Sequence, residues 1–276
     1  MPATNPAIQL VADADALYQA AAAEFVRQAG AAVETKDTCT VALSGGSTPK
    51  GLYGLLANDP TWRGQVPWGN IHVFWGDERH VPPDHPDSNY RMAHEALLSK
   101  VPMPQAHVHR IKSEHPDARQ AADDYEQTLR AFFHLAAGQF PRIDLIFLGL
   151  GPEGHTASLF PGTKALHDTR RLVVATSVGK LFTDRITLTP AVLNHAAGVA
   201  SGVGVDSYVC GDFVRLGTHL GAFHASCSTA ERSDAIAIRA DNDFFIRSKS
   251  ASRLLGLFGV RRSIFAGCLR QVSAEH

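Results

Sequence analysis

The sequence predicts an α/β protein built on a doubly wound, mostly parallel sheet with helices on both faces. Three observations predict it. Short apolar, β-rich runs alternate with segments of helical periodicity. The run Ile143-Asp-Leu-Ile-Phe-Leu148 is almost continuously apolar, as a strand buried on both faces must be. Three of the runs stop abruptly in polar, glycine-containing loops, the place where open α/β sheets bind ligands.

Residues 8–33 carry Leu17, Ala21, Phe25 and Val26 at helical spacing, with Asp13 and Asp15 near the start, and are expected to form a helix. Residues 38–43 form a first strand, ending in Ser44-Gly-Gly-Ser-Thr-Pro49, and a helix over 50–57 follows with Pro49 at its first position. Residues 71–75 form a second strand, stopped by Gly76-Asp-Glu-Arg79. Pro82, Pro83 and Pro86 make 81–89 an extended loop. Helices are expected over 90–100 and 116–137, the buried strand over 143–148, further strands over 172–177 and 185–189, and a helix over 190–197. No linker, repeat or low-complexity tract divides the chain, so one domain is expected.

Composition narrows the function classes. With 276 residues, 45% of them hydrophobic, the chain can bury a sizeable core, and disorder is excluded. A formal net charge of -1 gives no general attraction to nucleic acid or to an acidic membrane. No apolar run approaches the roughly 20 residues that span a bilayer, and the first residues lack the pattern of a secretory signal, so a cytoplasmic protein is expected. Cys39, Cys210, Cys227 and Cys268 are widely separated, form no C-x-x-C pair and read as free thiols. His107-Val-His109 is the one close histidine pair; without a third ligand nearby it reads as a surface strand, and no metal is expected.

The three loops carry the candidate chemistry. In the first, Gly45 and Gly46 let backbone N–H groups approach an anion, Ser44, Ser47 and Thr48 add hydroxyls, and a helix points its positive end at the same place. No G-K-[ST] follows, so it is not a Walker loop. The alternative is a glycine turn in which Ser47 or Thr48 caps the helix. In the second, Asp77, Glu78 and Arg79 follow a strand directly; the alternative is a surface ion pair of little weight. In the third, Gly149-Leu-Gly-Pro-Glu-Gly-His-Thr-Ala-Ser158, His155 can act as a general base with Glu153 orienting its ring, the alternative being a capping histidine. The glycine spacing of that loop resembles a dinucleotide fingerprint, but no acidic residue ends a clear strand about 20 residues later.

Four stretches together resemble the 6-phosphogluconolactonase family, in the wider group that contains glucosamine-6-phosphate deaminases. They are Val41-Ala-Leu-Ser-Gly-Gly-Ser-Thr-Pro49, Trp75-Gly-Asp-Glu-Arg79 with Ser88-Asn-Tyr90, residues 149–162, and Arg185-Ile-Thr-Leu-Thr189, in the family's order over roughly residues 8–200. The resemblance implies a Rossmann-like fold and hydrolysis of 6-phosphoglucono-δ-lactone to 6-phosphogluconate, in the oxidative pentose phosphate route, with neither metal nor organic cofactor. His155 matches the general base. Glu153 stands where the family usually has aspartate, preserving charge with a longer reach. Ser44, Gly45, Gly46, Ser47, Thr48 and Arg185 match phosphate-binding positions, and Asp77 and Arg79 match positions near the sugar ring. The implied partner is a small sugar-phosphate lactone, with no nucleic acid or membrane, acting on a monomer or small homo-oligomer. The alternatives are a sugar-phosphate deaminase/isomerase, in which Asp77 would abstract a proton, and a non-catalytic sugar-phosphate sensor. The run His155-Thr-Ala-Ser-Leu-Phe-Pro161 argues against the deaminase, which carries another acidic residue there.

The last quarter departs from this pattern. All fifteen prolines precede Ala200, and residues 201–276 hold ten serines against seven in the first 200, so domain-like patterning is expected for 1–200 and an anomalous region for 201–276. Family members continue with a strand like Phe-Leu-Val-Ser-Gly and then a phosphate-binding lysine. Encoded TTT-CTG-GTG-TCG-GGG, that strand read from its third base gives Ser-Gly-Val-Gly, the sequence of residues 201–204. The expectation is a chain out of its ancestral reading frame beyond about Ala200, with a strand and its covering helices lost from the sheet. Translating the downstream DNA in the other two frames should yield a strand–Gly–Lys-Ala continuation; finding it in neither frame makes the region a true divergence.

Overall fold

The computed structural model describes residues 7–8, 11–151, 154–178 and 183–203, and the short strands 213–214, 222–223, 236–240 and 243–244. Its strands are β1 (Ala7–Ile8), β2 (Cys39–Leu43), β3 (Ile71–Trp75), β4 (Asp77–Arg79), β5 (Leu145–Gly149), β6 (Val173–Val178), β7 (Thr183–Leu188), β8 (Val199–Val203), β9 (Phe213–Val214), β10 (Ala222–Phe223), β11 (Ile236–Ala240) and β12 (Asp243–Phe244). The α-helices are α1 (Ala14–Lys36), α2 (Ser47–Asn58), α3 (Pro60–Gln65), α4 (Asn89–Ala93), α5 (Ala118–Phe132) and α6 (Pro190–His195).

The main sheet has the order β1-β12-β11-β8-β5-β2-β3. β3, β2, β5 and β8 are mutually parallel, and β11 runs antiparallel to β8. The order reverses between β2 and β5, because the chain passes from β2 outward to β3 and then returns to β5 on the other side. That reversal opens a crevice beyond the carboxyl ends of β2 and β5, which is where Ser44 and Gly149 lie. β2 is buried along its whole length, as a strand between two neighbours and beneath helices must be. α1 and α2 flank the sheet, and Phe25 of α1 fills the space between Trp68 and Phe147, with ring centroids 6.2 and 5.8 Å away.

Several sequence expectations shift. The first helix begins at Ala14, with Asp13 accepting the Ala16 N–H as its cap. Helix 90–100 divides into α4 and a π-helical turn, His94–Leu98. The strands expected over 172–177 and 185–189 form, but in a separate three-stranded antiparallel sheet ordered β4-β7-β6, with the Gly76 loop supplying β4. Strand β8 is present over residues 199–203, so the main sheet keeps a strand at the position where a frame change was expected to remove one. In the last quarter the apolar residues Ile236–Ile238 lie in β11, while the apolar stretch 254–260 lies outside the described residues.

At the opposite end of the sheet from the crevice, the buried Asp144 carboxylate ties β5 to β2. It accepts from the Thr40 N–H and hydroxyl and from Lys36 Nζ, at 2.7–2.8 Å. Cys39 is a free thiol beside it, and burial, reinforced by the Asp144 charge, pushes that thiol up to about 12. Cys210, Cys227 and Cys268 lie outside the described residues. No helix among the described residues is long and apolar enough to cross a membrane.

The His107–His109 pair is not a surface strand. A third imidazole, His72 of β3, stacks on His107 at 3.9 Å between centroids and places its Nδ1 3.1 Å from His109 Nε2, with Phe132 of α5 against the same ring. Stacked rings do not converge on a point, and among the described residues no group of three side chains could hold a metal ion. Burial first, and then the neighbouring His107 and His109, lower His72 to about 4 from the ordinary 6.5. The unfolded chain therefore takes up this proton at a higher pH than the folded one, so the packed cluster contributes fully above about pH 6.5 and its contribution is lost as pH falls toward 4. Thermal unfolding followed between pH 7 and 4.5 should show a melting temperature that drops less steeply for His72→Phe than for the parent. Equal slopes would clear His72 of the effect.

Candidate active site

The loop after β2 is fixed by two close approaches. Gly46 has φ +107°, a backbone conformation that favours glycine. A Cβ on Gly45 would lie 1.9 Å from Oδ1 of Asn89, so the buried Asn89 side chain lies directly against the loop's backbone. Helix α2 starts at Ser47, three residues before the expected start, so Pro49 occupies its third position. Gly46 is the N-cap and no side chain caps it, which corrects both the expected boundary and the capping alternative for Ser47 and Thr48. Proline is tolerated there because the first-turn N–H groups have no partner inside the helix anyway. The N–H groups of Ser47 and Thr48 remain at the helix's positive end.

The second loop is neither a plain turn nor a surface ion pair. Its three charged residues form β4 and point to different tasks. Glu78 is 1% exposed, and its carboxylate accepts from the N–H groups of Arg79, Asn89 and Tyr90 and from the Ser88 hydroxyl, at 2.7–3.1 Å. It thereby caps α4, whose N-cap Ser88 accepts from the Arg91 N–H. Burial holds the Glu78 carboxyl above its usual range while these donors pull the other way. Asp77 is also buried. Its Oδ2 accepts the Ser158 hydroxyl at 2.7 Å, and its backbone carbonyl accepts from Asn89 Nδ2 at 2.9 Å. Arg79 is placed in cross-strand register with Arg185, and its Nη1 donates to the Asp87 carbonyl. Arg185 is lowered from the ordinary arginine value by burial and then by the like charge of Arg79.

The third loop folds back on itself. Gly154 takes φ +76° and Ala157 φ +49°, and the Gly151 N–H donates to the His155 carbonyl at 2.8 Å. The imidazole stacks on Phe160 with centroids 4.0 Å apart and covers Gly151, where a Cβ would fall 1.9 Å from Cε1 of the ring. Three residues on, the fully buried Ser158 receives no side-chain freedom at all: its hydroxyl donates to Asp77 and its N–H donates to Thr187 Oγ1 of β7. Glu153 lies outside the described residues.

The three loops therefore converge as expected, and Asp77 is where they meet. Asn89 joins it to Gly45, Ser158 joins it to the His155 loop, and β4 joins it to the strand carrying Arg185. Asn89, Ser158 and Thr187 are neighbours of these residues that residue-by-residue reading does not single out, although all three sit inside stretches that resemble the family. Six buried side-chain polar atoms among the described residues lack a hydrogen-bond partner, and four of them are here: Ser44 Oγ, Arg79 Nε, Thr156 Oγ1 and Arg185 Nε. Such orphans are uncommon in folded proteins and concentrate where a ligand completes the network.

The fold and these loops define a phosphosugar-processing α/β class, and comparison with known proteins agrees. Residues 12–204 match the family of glucosamine-6-phosphate isomerases/6-phosphogluconolactonase, and the chain belongs to that family. The 6-phosphogluconolactonase of Synechocystis sp. is 49% identical over 168 residues, which is 61% of this chain and 67% of the relative. That of Nostoc sp. is 41% identical over 192 residues, 70% and 77% of the two chains. Among solved structures, the 6-phosphogluconolactonase from Trypanosoma cruzi superposes with a TM-score of 0.61 at 31% identity, covering 71% of this chain and 80% of that one. The Thermotoga maritima enzyme gives 0.59 at 32% identity, covering 69% and 80%.

Proposed function

We propose that this protein hydrolyses 6-phosphoglucono-δ-lactone to 6-phosphogluconate by general-base activation of water, with no metal or organic cofactor. The reading rests above all on the four orphaned polar atoms of the converging loops, because two hydroxyls and two guanidinium nitrogens are donors suited to one kind of ligand. Arg79 and Arg185 offer two guanidiniums to a phosphate dianion, and the Ser44–Thr48 loop offers a hydroxyl and helix N–H groups. The family relatives carry the matching activity in their names.

A lactone is an activated ester, so no side-chain nucleophile is required. In the proposed step His155 takes a proton from water as the oxygen attacks the lactone carbonyl. The ring C–O bond then breaks, and the leaving ring oxygen takes a proton back. Glu153 is assigned to orient the imidazole. Ser44, Gly45, Gly46, Ser47, Thr48 and Arg185 hold the phosphate, and Arg79 faces the same anion from β4. Asp77 is assigned to position the walls of the site. Its Oδ2 already accepts from Ser158, which favours lactone hydrolysis over the deaminase chemistry that would need this carboxylate as a mobile base. A small-molecule lactone as sole partner, a monomer or small homo-oligomer and a cytoplasmic setting complete the proposal.

That the family match ends at residue 204 supports the proposal that the chain beyond about Ala200 is out of its ancestral frame, although strand β8 is kept. If so, the phosphate site lacks the lysine that relatives are expected to supply, and the two arginines are the cations left to it beside the Ser44–Thr48 loop.

Two substitutions test the assignment. His155→Ala should lower lactonase turnover about 10²–10⁴-fold above the spontaneous background, with 6-phosphogluconate affinity nearly unchanged. Undiminished turnover would remove His155 from the mechanism. Arg185→Ala should weaken 6-phosphogluconate binding by about 1.5–3 kcal/mol while leaving gluconate binding untouched, as calorimetry can read. Equal losses for the two ligands would turn Arg185 away from the phosphate.

A further inference from the structure

Two buried tyrosines outside the loops make the same unusual contact at two of the three places where the chain leaves the main sheet for the site. Tyr53 of α2 accepts from the Ser44 N–H and donates to the Ser44 carbonyl, both at 3.0 Å. Tyr125 of α5 accepts from the Trp75 N–H at 2.8 Å and donates to the Trp75 carbonyl at 3.1 Å. Both rings are among the largest fully buried side chains of the protein. In each case one hydroxyl uses its donor and its acceptor on one residue's backbone, the pairing that a neighbouring strand would otherwise supply.

The placement is informative. The β2–β5 ladder ends at Ala42↔Ile146, so Ser44 is beyond the reach of the sheet on that side. β3 is the edge strand of the main sheet. Trp75 shares an edge with Val73, whose carbonyl accepts from His109, and at Trp75 the backbone pairs with the Tyr125 hydroxyl instead. Ser44 is the first residue of the Gly45-Gly46 loop, and Trp75 is followed by Gly76 and then Asp77. A backbone free to slide at either position would move the orphaned Ser44 hydroxyl, or the Asp77 carboxylate with the Ser158 contact it anchors.

We propose that Tyr53 and Tyr125 are positioning residues, a matched pair of hydroxyl clamps that set the exit of β2 into the anion-binding loop and the exit of β3 into the Asp77–Arg79 segment. The clamp on Ser44 governs how the phosphate is held, and the clamp on Trp75 governs how the reacting end of the substrate is presented. The assignment of the two effects rests on the lactonase reading, whereas the clamps themselves do not. Each hydroxyl has its donor and its acceptor engaged on backbone, and burial holds both phenols above their ordinary range, so they act as neutral hydroxyls at any working pH.

Tyr53→Phe and Tyr125→Phe keep the ring and remove one oxygen each. Amide hydrogen exchange on the full chain reads the clamps without reference to catalysis. In the parent, the Ser44 and Trp75 amides should be protected like those inside β2 and β3; exchange at loop rates would overturn the proposal before any variant is made. Tyr53→Phe should then speed exchange at Ser44 about tenfold or more with Trp75 unchanged, and Tyr125→Phe should do the reverse. Steady-state kinetics with 6-phosphogluconolactone should split the same way, with KM about tenfold higher and kcat within about twofold for Tyr53→Phe, and the larger loss in kcat for Tyr125→Phe. Calorimetry with inorganic phosphate should show weaker binding for Tyr53→Phe alone. Parent values of KM, kcat and phosphate affinity in both variants, with only the melting temperature lowered, would reduce the tyrosines to core packing. A parent chain that binds phosphate but does not turn over the lactone would instead count against the function proposed above, and the exchange and phosphate measurements would still decide the clamps.

Discussion

The Asp77 carboxylate is the constraint on which the site depends. A carboxylate taken out of water is costly unless donors surround it, and none of its donors comes from its own strand. Ser158 arrives from the loop after β5, and Asn89 from the start of α4. Satisfying one buried charge therefore requires that three separate stretches of chain be in place together. Glu78 applies the same logic one residue on, gathering three backbone N–H groups and a hydroxyl. Two adjacent acidic residues on a short strand thus organise elements that sequence keeps far apart. The desolvation they require is offset only when the whole arrangement forms.

How much of this is legible in the sequence depends on the range of the interaction. The ends of β2, β3 and β5 are legible because apolar runs meet glycine there, and that is a local signal. The convergence of the three loops is legible as well, since parallel strands present their carboxyl ends at one edge. The start of α2 is misplaced by three residues because proline suits any position of a helix's first turn, so Pro49 marks the turn without marking its first residue. The strands at 173–178 and 183–188 are visible as strands, but nothing local says that they leave the main sheet to pair with β4. Glu78 can be read as a surface charge because all of its donors but the Arg79 N–H lie ten or more residues downstream. His72 is missed beside His107 and His109 for a related reason: alternation along β3 marks which residues share a face, and gives no hint of what another segment lays against it.

The division of labour between the two sheets follows from their hydrogen bonding. The parallel sheet supplies the glycine loop and the His155 loop from its buried centre, where β2 and β5 each have a neighbouring strand on both sides. The small antiparallel sheet supplies both arginines, from adjacent strands in direct register. Bringing the charges in on a second sheet lets them approach the crevice from the side without interrupting the apolar strands that make the core.

That direct register has a consequence for the empty protein. Like charges placed opposite one another across an antiparallel pair work against the pairing, and here both are partly buried, which sharpens the repulsion. Asp77, Glu78 and Asp87 offset part of that repulsion at Arg185. On the proposed reading, a phosphate dianion shared by Arg79 and Arg185 would offset more of it and act as a cross-link between β4 and β7. The affinity of the site and the cohesion of this sheet would then be one quantity seen from two sides.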